Sequence, residues 1–156
     1  MIVILDDILS EGGRQKVLEK YSNRRNSISE TWVDNESADK QCKKLLKIAN
    51  RFINIKDAAG FELWTHYNTK PGFHFDKDET LFNKTGELKF PLCTILYYPY
   101  IDNNLIGGEF VADGIQVKPI TNRMIIFSPG VWHGVNEYKN ERFSLIINPW
   151  LTKIEK

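Results

Sequence analysis

From residue 61 onward, short runs rich in Phe, Tyr, Trp, Val and Ile alternate with turn signals, which predicts a mainly β domain with its helices at the front, an α+β arrangement. Two further observations agree. Helical periodicity is confined to the first sixty positions, and 156 residues with 42% hydrophobic content suit one domain around one core. The expected organisation is a single domain over 1–156, with an N-terminal strand and helices over 1–60 and a β core over 61–150.

Ile2 to Leu5 reads as a short strand and Gly12 to Tyr21 as a helix with Val17, Leu18 and Tyr21 in one stripe. Ser37 is expected to cap a second helix that runs to Ile53, because Cys42, Leu45, Leu46, Ala49, Phe52 and Ile53 recur at helical spacing. That stripe needs a sheet to cover. Phe61 to Asn68 reads as a strand broken at Pro71-Gly72, and Phe73 to Asp76 as the next. Lys77 to Phe90 is a long polar connection of the kind that forms lids or binding loops. Leu92 to Tyr98 is a buried strand ended by Pro99; Gly108 to Ala112 and Ile115 to Val117 flank the tight turn Asp113-Gly114. Arg123 to Phe127 leads into the turn Ser128-Pro129-Gly130, and Phe143 to Asn148 is the last strand. Eight or so short strands behind front helices predict a double-stranded β-helix, the cupin-like jelly-roll barrel, with the helices packed outside one sheet.

A net charge of +1 argues for neither a nucleic-acid nor a membrane partner. Residues 14–56 carry eleven Lys or Arg against five acids, which solvated helix faces explain. No apolar run is long enough to span a membrane, and the opening Met1-Ile2-Val3-Ile4-Leu5-Asp6-Asp7 is too short and acidic for a secretion signal. The expected location is therefore cytoplasmic. Cys42, in a helical pattern, and Cys93, in an apolar strand, are expected as buried free thiols. The oligomeric state is left open.

The chemistry concentrates in few residues. There are three histidines, and two belong to a pattern: His74-x-Asp76, and His133 some sixty positions later. On a strand, residues i and i+2 point to the same side, so His74 and Asp76 can reach one ion. Two imidazoles and a carboxylate are the protein side of a non-haem Fe(II) site that keeps positions open for oxygen chemistry. A His-x-Asp pair alone is common. Arg142 adds weight, because an arginine entering an apolar strand is costly to bury without an anion and its planar fork matches a carboxylate.

In order and spacing, His74-x-Asp76, Thr94-Ile95-Leu96-Tyr97-Tyr98, Gly107-Gly108-Glu109-Phe110, His133-x-Val135 and Arg142-x-Ser144 resemble the 2-oxoglutarate and Fe(II)-dependent dioxygenases, prolyl-4-hydroxylase-like branch, over about residues 61 to 150. The resemblance implies that His74, Asp76 and His133 hold Fe(II), that Arg142 takes the distal carboxylate of the 2-oxoglutarate cosubstrate and that Tyr98 hydrogen-bonds the same group. Thr94 and Leu96 share strand parity with Tyr98 and are expected on the same pocket wall, with Val135 and Ser144 completing the cosubstrate pocket. The implied reaction consumes O2, converts 2-oxoglutarate to succinate and CO2, and hydroxylates a substrate C–H bond, with ascorbate keeping the iron reduced. Because Asp76 is present, hydroxylation is expected rather than halogenation.

The substrate is open between a peptidyl-proline, a free amino acid and another small molecule. A nucleic-acid dealkylase is disfavoured, since Ile146-Ile147-Asn148-Pro149-Trp150 offers no second arginine. Asp78, Glu79, Trp132 and Asn148 are candidate substrate contacts, and His66 is expected to be a hydrogen-bonded structural histidine. Two other classes compete: a cupin-like metalloprotein or metalloenzyme that does not use 2-oxoglutarate, and a metal-free binding barrel.

Overall fold

The computed structural model describes residues 1–22, 31–69 and 72–155. Among them run β1 (Ile2–Leu5), α1 (Glu11–Tyr21), β2 (Thr31–Asp34), α2 (Lys40–Ala49), β3 (Gly60–Tyr67), α3 (Glu79–Thr85), β4 (Thr94–Ile101), β5 (Ile106–Gly107), β6 (Phe110–Ala112), β7 (Ile115–Val117), β8 (Met124–Phe127), β9 (His133–Val135), β10 (Tyr138–Lys139) and β11 (Arg142–Trp150). Six strands form one antiparallel sheet in the order β1-β8-β4-β11-β3-β2. A smaller sheet, β7-β6-β9, and a β10-β5 pair complete the β layers; the larger sheet is open rather than a closed barrel.

Strand alternation divides the interior in two. On β11 the odd residues Phe143, Leu145 and Ile147 join Ile95 and Tyr97 of β4, Phe61 and Leu63 of β3, and Met124 and Ile126 of β8 in a core beneath α1 and α2. The helices contribute Val17, Tyr21, Cys42, Leu45 and Ala49. The alternate residues face the other way: Ile146 of β11, Leu96 of β4, Trp64 of β3, and Ile125 and Phe127 of β8 meet Phe110, Ala112 and Val117 of the smaller sheet. The predicted layering, helices outside one sheet, is therefore observed. Both cysteines are free and buried, and burial pushes each thiol up to about 12.

Several boundaries differ from expectation, each for a local reason. The second helix is capped by Asp39, whose carboxylate accepts the N–H groups of Gln41 and Cys42, while Ser37 belongs to a preceding 3-10 turn. β2 was not anticipated; it is four residues long and only half-buried, too short to carry a period. Pro99 does not end β4. It lies where the β4–β11 register shifts, between the Phe143–Tyr100 and Leu145–Tyr97 pairs, at an irregularity that tolerates a residue without N–H. The connection from Lys77 to Phe90 is not structureless, since it contains α3. The expected strand over Phe73 to Asp76 reduces to one antiparallel bridge between His74 and His133. Pro71, half of the expected strand break, lies outside the described residues. Among the described residues no helix is long and apolar enough to cross a membrane.

Asp39 gives a test of the helical layer. Burial pushes its carboxyl up, but the Cys42 N–H, Lys20 and the Tyr21 hydroxyl outweigh burial and hold it at about 2. Asp39→Ala is expected to cost about 1–2 kcal/mol of stability at neutral pH, the usual worth of an N-cap. Because the folded carboxyl titrates below its unfolded value of about 3.9, this contribution is present above pH 4 and fades towards pH 2. Urea unfolding of both proteins at pH 7 and near pH 2 should show the difference shrink; a difference independent of pH would contradict the ionised cap.

Candidate active site

The His74–His133 bridge brings together chain segments far apart in sequence. Reciprocal backbone hydrogen bonds, His74 N–H to His133 C=O at 2.9 Å and the reverse at 3.1 Å, put both imidazoles on one side. Their ring centroids are 4.5 Å apart. Asp76, two residues along, shares the face: its Oδ1 is 3.3 Å from His74 Nε2 and 3.8 Å from His133 Nε2. One ligand atom from each residue lies within 4.8 Å of the other two, and this set can hold a metal ion. Ligand atoms about 2.1 Å from a shared ion at right angles lie about 3 Å apart, so the two Asp76–histidine separations require only a small closing.

The donor chemistry fits a divalent ion. His74 Nδ1 lies 2.7 Å from the Gly72 carbonyl and His133 Nδ1 lies 2.9 Å from the Val131 carbonyl. A carbonyl can only accept, so each Nδ1 carries the proton and each Nε2 presents a lone pair to the shared centre. The hydrogen bond with Asp76 pushes the His74 imidazole up, whereas burial pushes His133 down. Burial pushes the Asp76 carboxyl up, yet the two imidazoles and the Thr94 hydroxyl overcome this and hold it below the ordinary carboxylate range. Phe110 and Phe127 pack on the His133 ring, at 5.7 and 4.7 Å between centroids.

The three residues line one wall of a pocket of about 420 Å³, including its open mouth. Thr94, Leu96, Val135, Arg142 and Ser144 line it too. Arg142 is 1% exposed. Its Nε donates to Gly108 C=O at 3.0 Å, its Nη2 donates to the Tyr98 hydroxyl at 3.2 Å, and its guanidinium lies 5.1 Å from the Tyr98 ring centre. Gly107 and Gly108, at φ near +78°, make room: a Cβ on Gly108 would press on Arg142 Cδ at 3.1 Å. Among the described residues no carboxylate pairs with Arg142, and the buried Ser144 hydroxyl has no partner. A buried guanidinium beside an unmatched hydroxyl has donors free that a carboxylate can accept.

Other candidates fall elsewhere. Tyr98 is fully buried against the guanidinium and does not line the pocket, though its hydroxyl remains in the Arg142 network. Asp78 is not placed to meet a substrate: it is 6% exposed and caps α3 by accepting the Leu81 N–H. Glu79 is exposed and paired with Lys77 at 2.7 Å. Trp132 alternates with His133, so its side chain leaves by the opposite face, where it packs on Phe75 and Phe73 at 4.7 and 6.5 Å. Asn148 lies on the correct face of β11 but is 1% exposed and not a lining residue; its Oδ1 is without a partner.

His66 is on the pocket wall with both nitrogens engaged, Nε2 accepting from Trp64 and Nδ1 facing the Thr69 hydroxyl. Burial, then Arg142, lowers it to about 4, so it is neutral near pH 7, in keeping with the structural role expected. Sequence reading missed Trp64, Phe110, Phe127 and Ile146 as walls. Period-two parity with His66 on β3 and with Arg142 on β11 marks Trp64 and Ile146; nothing local distinguishes Phe127 from an ordinary core residue.

Fold and site together define a jelly-roll protein in which two histidines and a carboxylate able to hold a metal ion share one pocket with a buried guanidinium. No family profile matches the chain, and no curated protein matches it in sequence. Solved structures do match in fold. One is a prolyl-4-hydroxylase from Pseudomonas putida, with a TM-score of 0.65 and 17% identity over 97% of this chain and 93% of that one. A viral collagen prolyl hydroxylase from Paramecium bursaria Chlorella virus-1, in complex with 2-oxoglutarate, matches at TM-score 0.64 and 17% identity over 97% and 96%. A prolyl hydroxylase from Trichoplax adhaerens, in complex with a hypoxia inducible factor oxygen degradation domain peptide fragment, matches at 0.62 and 14% over 96% and 83%. The jelly-roll expectation agrees with these neighbours.

Proposed function

We propose that the protein is an Fe(II)- and 2-oxoglutarate-dependent dioxygenase that hydroxylates a C–H bond of a peptidyl-proline, a free amino acid or another small substrate. The observation that carries this reading is the buried Arg142 guanidinium, without a carboxylate partner among the described residues, in the same pocket as His74, Asp76 and His133. A metalloprotein that does not use 2-oxoglutarate has no need of that cation. The fold neighbours include hydroxylases solved with 2-oxoglutarate and with a peptide, which supports a peptide or small-molecule substrate.

When bound, Fe(II) supplies the activation of O2 that couples oxidative decarboxylation of 2-oxoglutarate, to succinate and CO2, with substrate hydroxylation, and ascorbate serves as reductant for the iron. The chain's own groups do the rest. His74 and His133 offer Nε2, and Asp76 offers Oδ1. Arg142, steadied by its hydrogen bond to the Tyr98 hydroxyl, takes the distal carboxylate of 2-oxoglutarate with one face of its fork, and the Ser144 hydroxyl adds a donor. Leu96, Phe110, Phe127 and Ile146 exclude water around the reacting atoms and strengthen these charge interactions.

Anaerobic addition of Fe(II) and 2-oxoglutarate is expected to produce a weak visible charge-transfer band, and air with a competent substrate is expected to produce succinate. Well-folded protein that gives no band would sink the cosubstrate assignment. Proline peptides and free amino acids compared for coupled succinate release would separate the substrate classes.

A further inference from the structure

Asp76 uses its two oxygens differently. Oδ1 faces the imidazoles, while Oδ2 accepts the hydroxyl hydrogen of Thr94 across 2.5 Å. Thr94 is 3% exposed, opens β4 opposite Phe127, and is flanked by Cys93 and Ile95, both fully buried. Two heavy atoms on Cβ leave it few rotamers. Its hydroxyl is thus fixed by the larger sheet, whereas Asp76 lies outside any strand, between the His74–His133 bridge and the Asp78 N–H to Lys89 C=O hydrogen bond.

We infer that Thr94 is a positioning residue that makes Asp76 a one-oxygen ligand. A carboxylate beside a dication can bind through one oxygen or through both, and on an octahedral ion the second oxygen would take a position from the exogenous ligands. The reaction proposed above needs two positions for the cosubstrate and one for O2, and the present inference rests on that reading. By engaging Oδ2, the Thr94 hydroxyl turns it away from the ion and aims Oδ1 at it. The side chain first read as a wall of the cosubstrate pocket therefore acts through the metal's carboxylate.

Thr94→Val keeps shape and strand preference and removes only the hydroxyl, which leaves a buried carboxylate oxygen without a donor. Fe(II) binding, measured anaerobically by calorimetry, is expected to weaken roughly ten- to a hundredfold, as when outer partners of metal ligands are lost. The visible band at saturating Fe(II) and 2-oxoglutarate should also fall, because a two-oxygen Asp76 crowds the chelate. Thr94→Ser, which restores the hydroxyl, should recover both. Thr94→Ala provides the same loss should valine disturb folding. Wild-type Fe(II) affinity in Thr94→Val or Thr94→Ala, or a serine variant as weak as valine, would overturn the inference while leaving the function intact. Wild-type protein that takes up no Fe(II) would remove the function and the inference together.

Discussion

His74→Ala is expected to abolish Fe(II) uptake and with it all succinate formation. The loss should exceed the roughly 10–100-fold that follows removal of an outer partner of a ligand, because a ligand itself is removed and only His133 and Asp76 remain. His74 is the informative choice within the triad, since its side chain is 39% exposed and deleting it opens little cavity. His133, by contrast, packs between Phe110 and Phe127, so its removal also disturbs the core. Anaerobic calorimetry with Fe(II), beside circular dichroism to establish folding, checks the result; a folded His74→Ala protein with wild-type iron affinity would refute the assignment of the centre.

Arg142→Met is expected to separate function from stability. Two charge-assisted hydrogen bonds to a carboxylate are worth about 3 kcal/mol together, so 2-oxoglutarate affinity should fall by roughly a hundredfold. The same change should leave the cosubstrate-free protein as stable as wild type or more stable. Arg142 holds a charge at 1% exposure, hydrogen-bonded to a carbonyl and a phenol, near the Tyr138 ring and without a carboxylate among the described residues, and replacing such a charge with an apolar side chain of similar volume relieves its desolvation. Thermal denaturation with and without 2-oxoglutarate and a divalent ion would show both effects. Wild type should gain stability on ligand addition, and the variant should begin no lower and gain little. A variant that is still stabilised as strongly as wild type would mean that Arg142 does not hold the cosubstrate.

Much of the site was readable because its groups obey simple periods. His74 and Asp76 sit two apart, Thr94 and Leu96 two apart, and Arg142 and Ser144 two apart, so alternation alone put each pair on one face. Buried polar residues in apolar strands mark themselves, since a strand such as Leu145-Ile146-Ile147 has no structural reason to begin with Arg142. Trp132 was expected as a substrate contact, yet it neighbours His133 by one position and its ring leaves by the opposite face, against Phe75. Asp78 misled for a different reason: an acid two residues after Asp76 reads as a substrate group, yet the Leu81 N–H that it caps appears only once α3 has formed.

By itself, the sequence determined which residue types were available for the chemistry and, through strand parity, which of them share a face. It also determined that α1 and α2 precede the main run of strands, because their helical period ends before the strand period begins, whereas β2 and α3 are too short to carry a period. The tertiary structure decided what meets what. His133 reaches His74 through one bridge across 59 positions, Thr94 meets Asp76 across 18, and Tyr98 meets Arg142 across 44. Such contacts depend on strand register and sheet order, which are settled by packing of the whole core and leave no local trace.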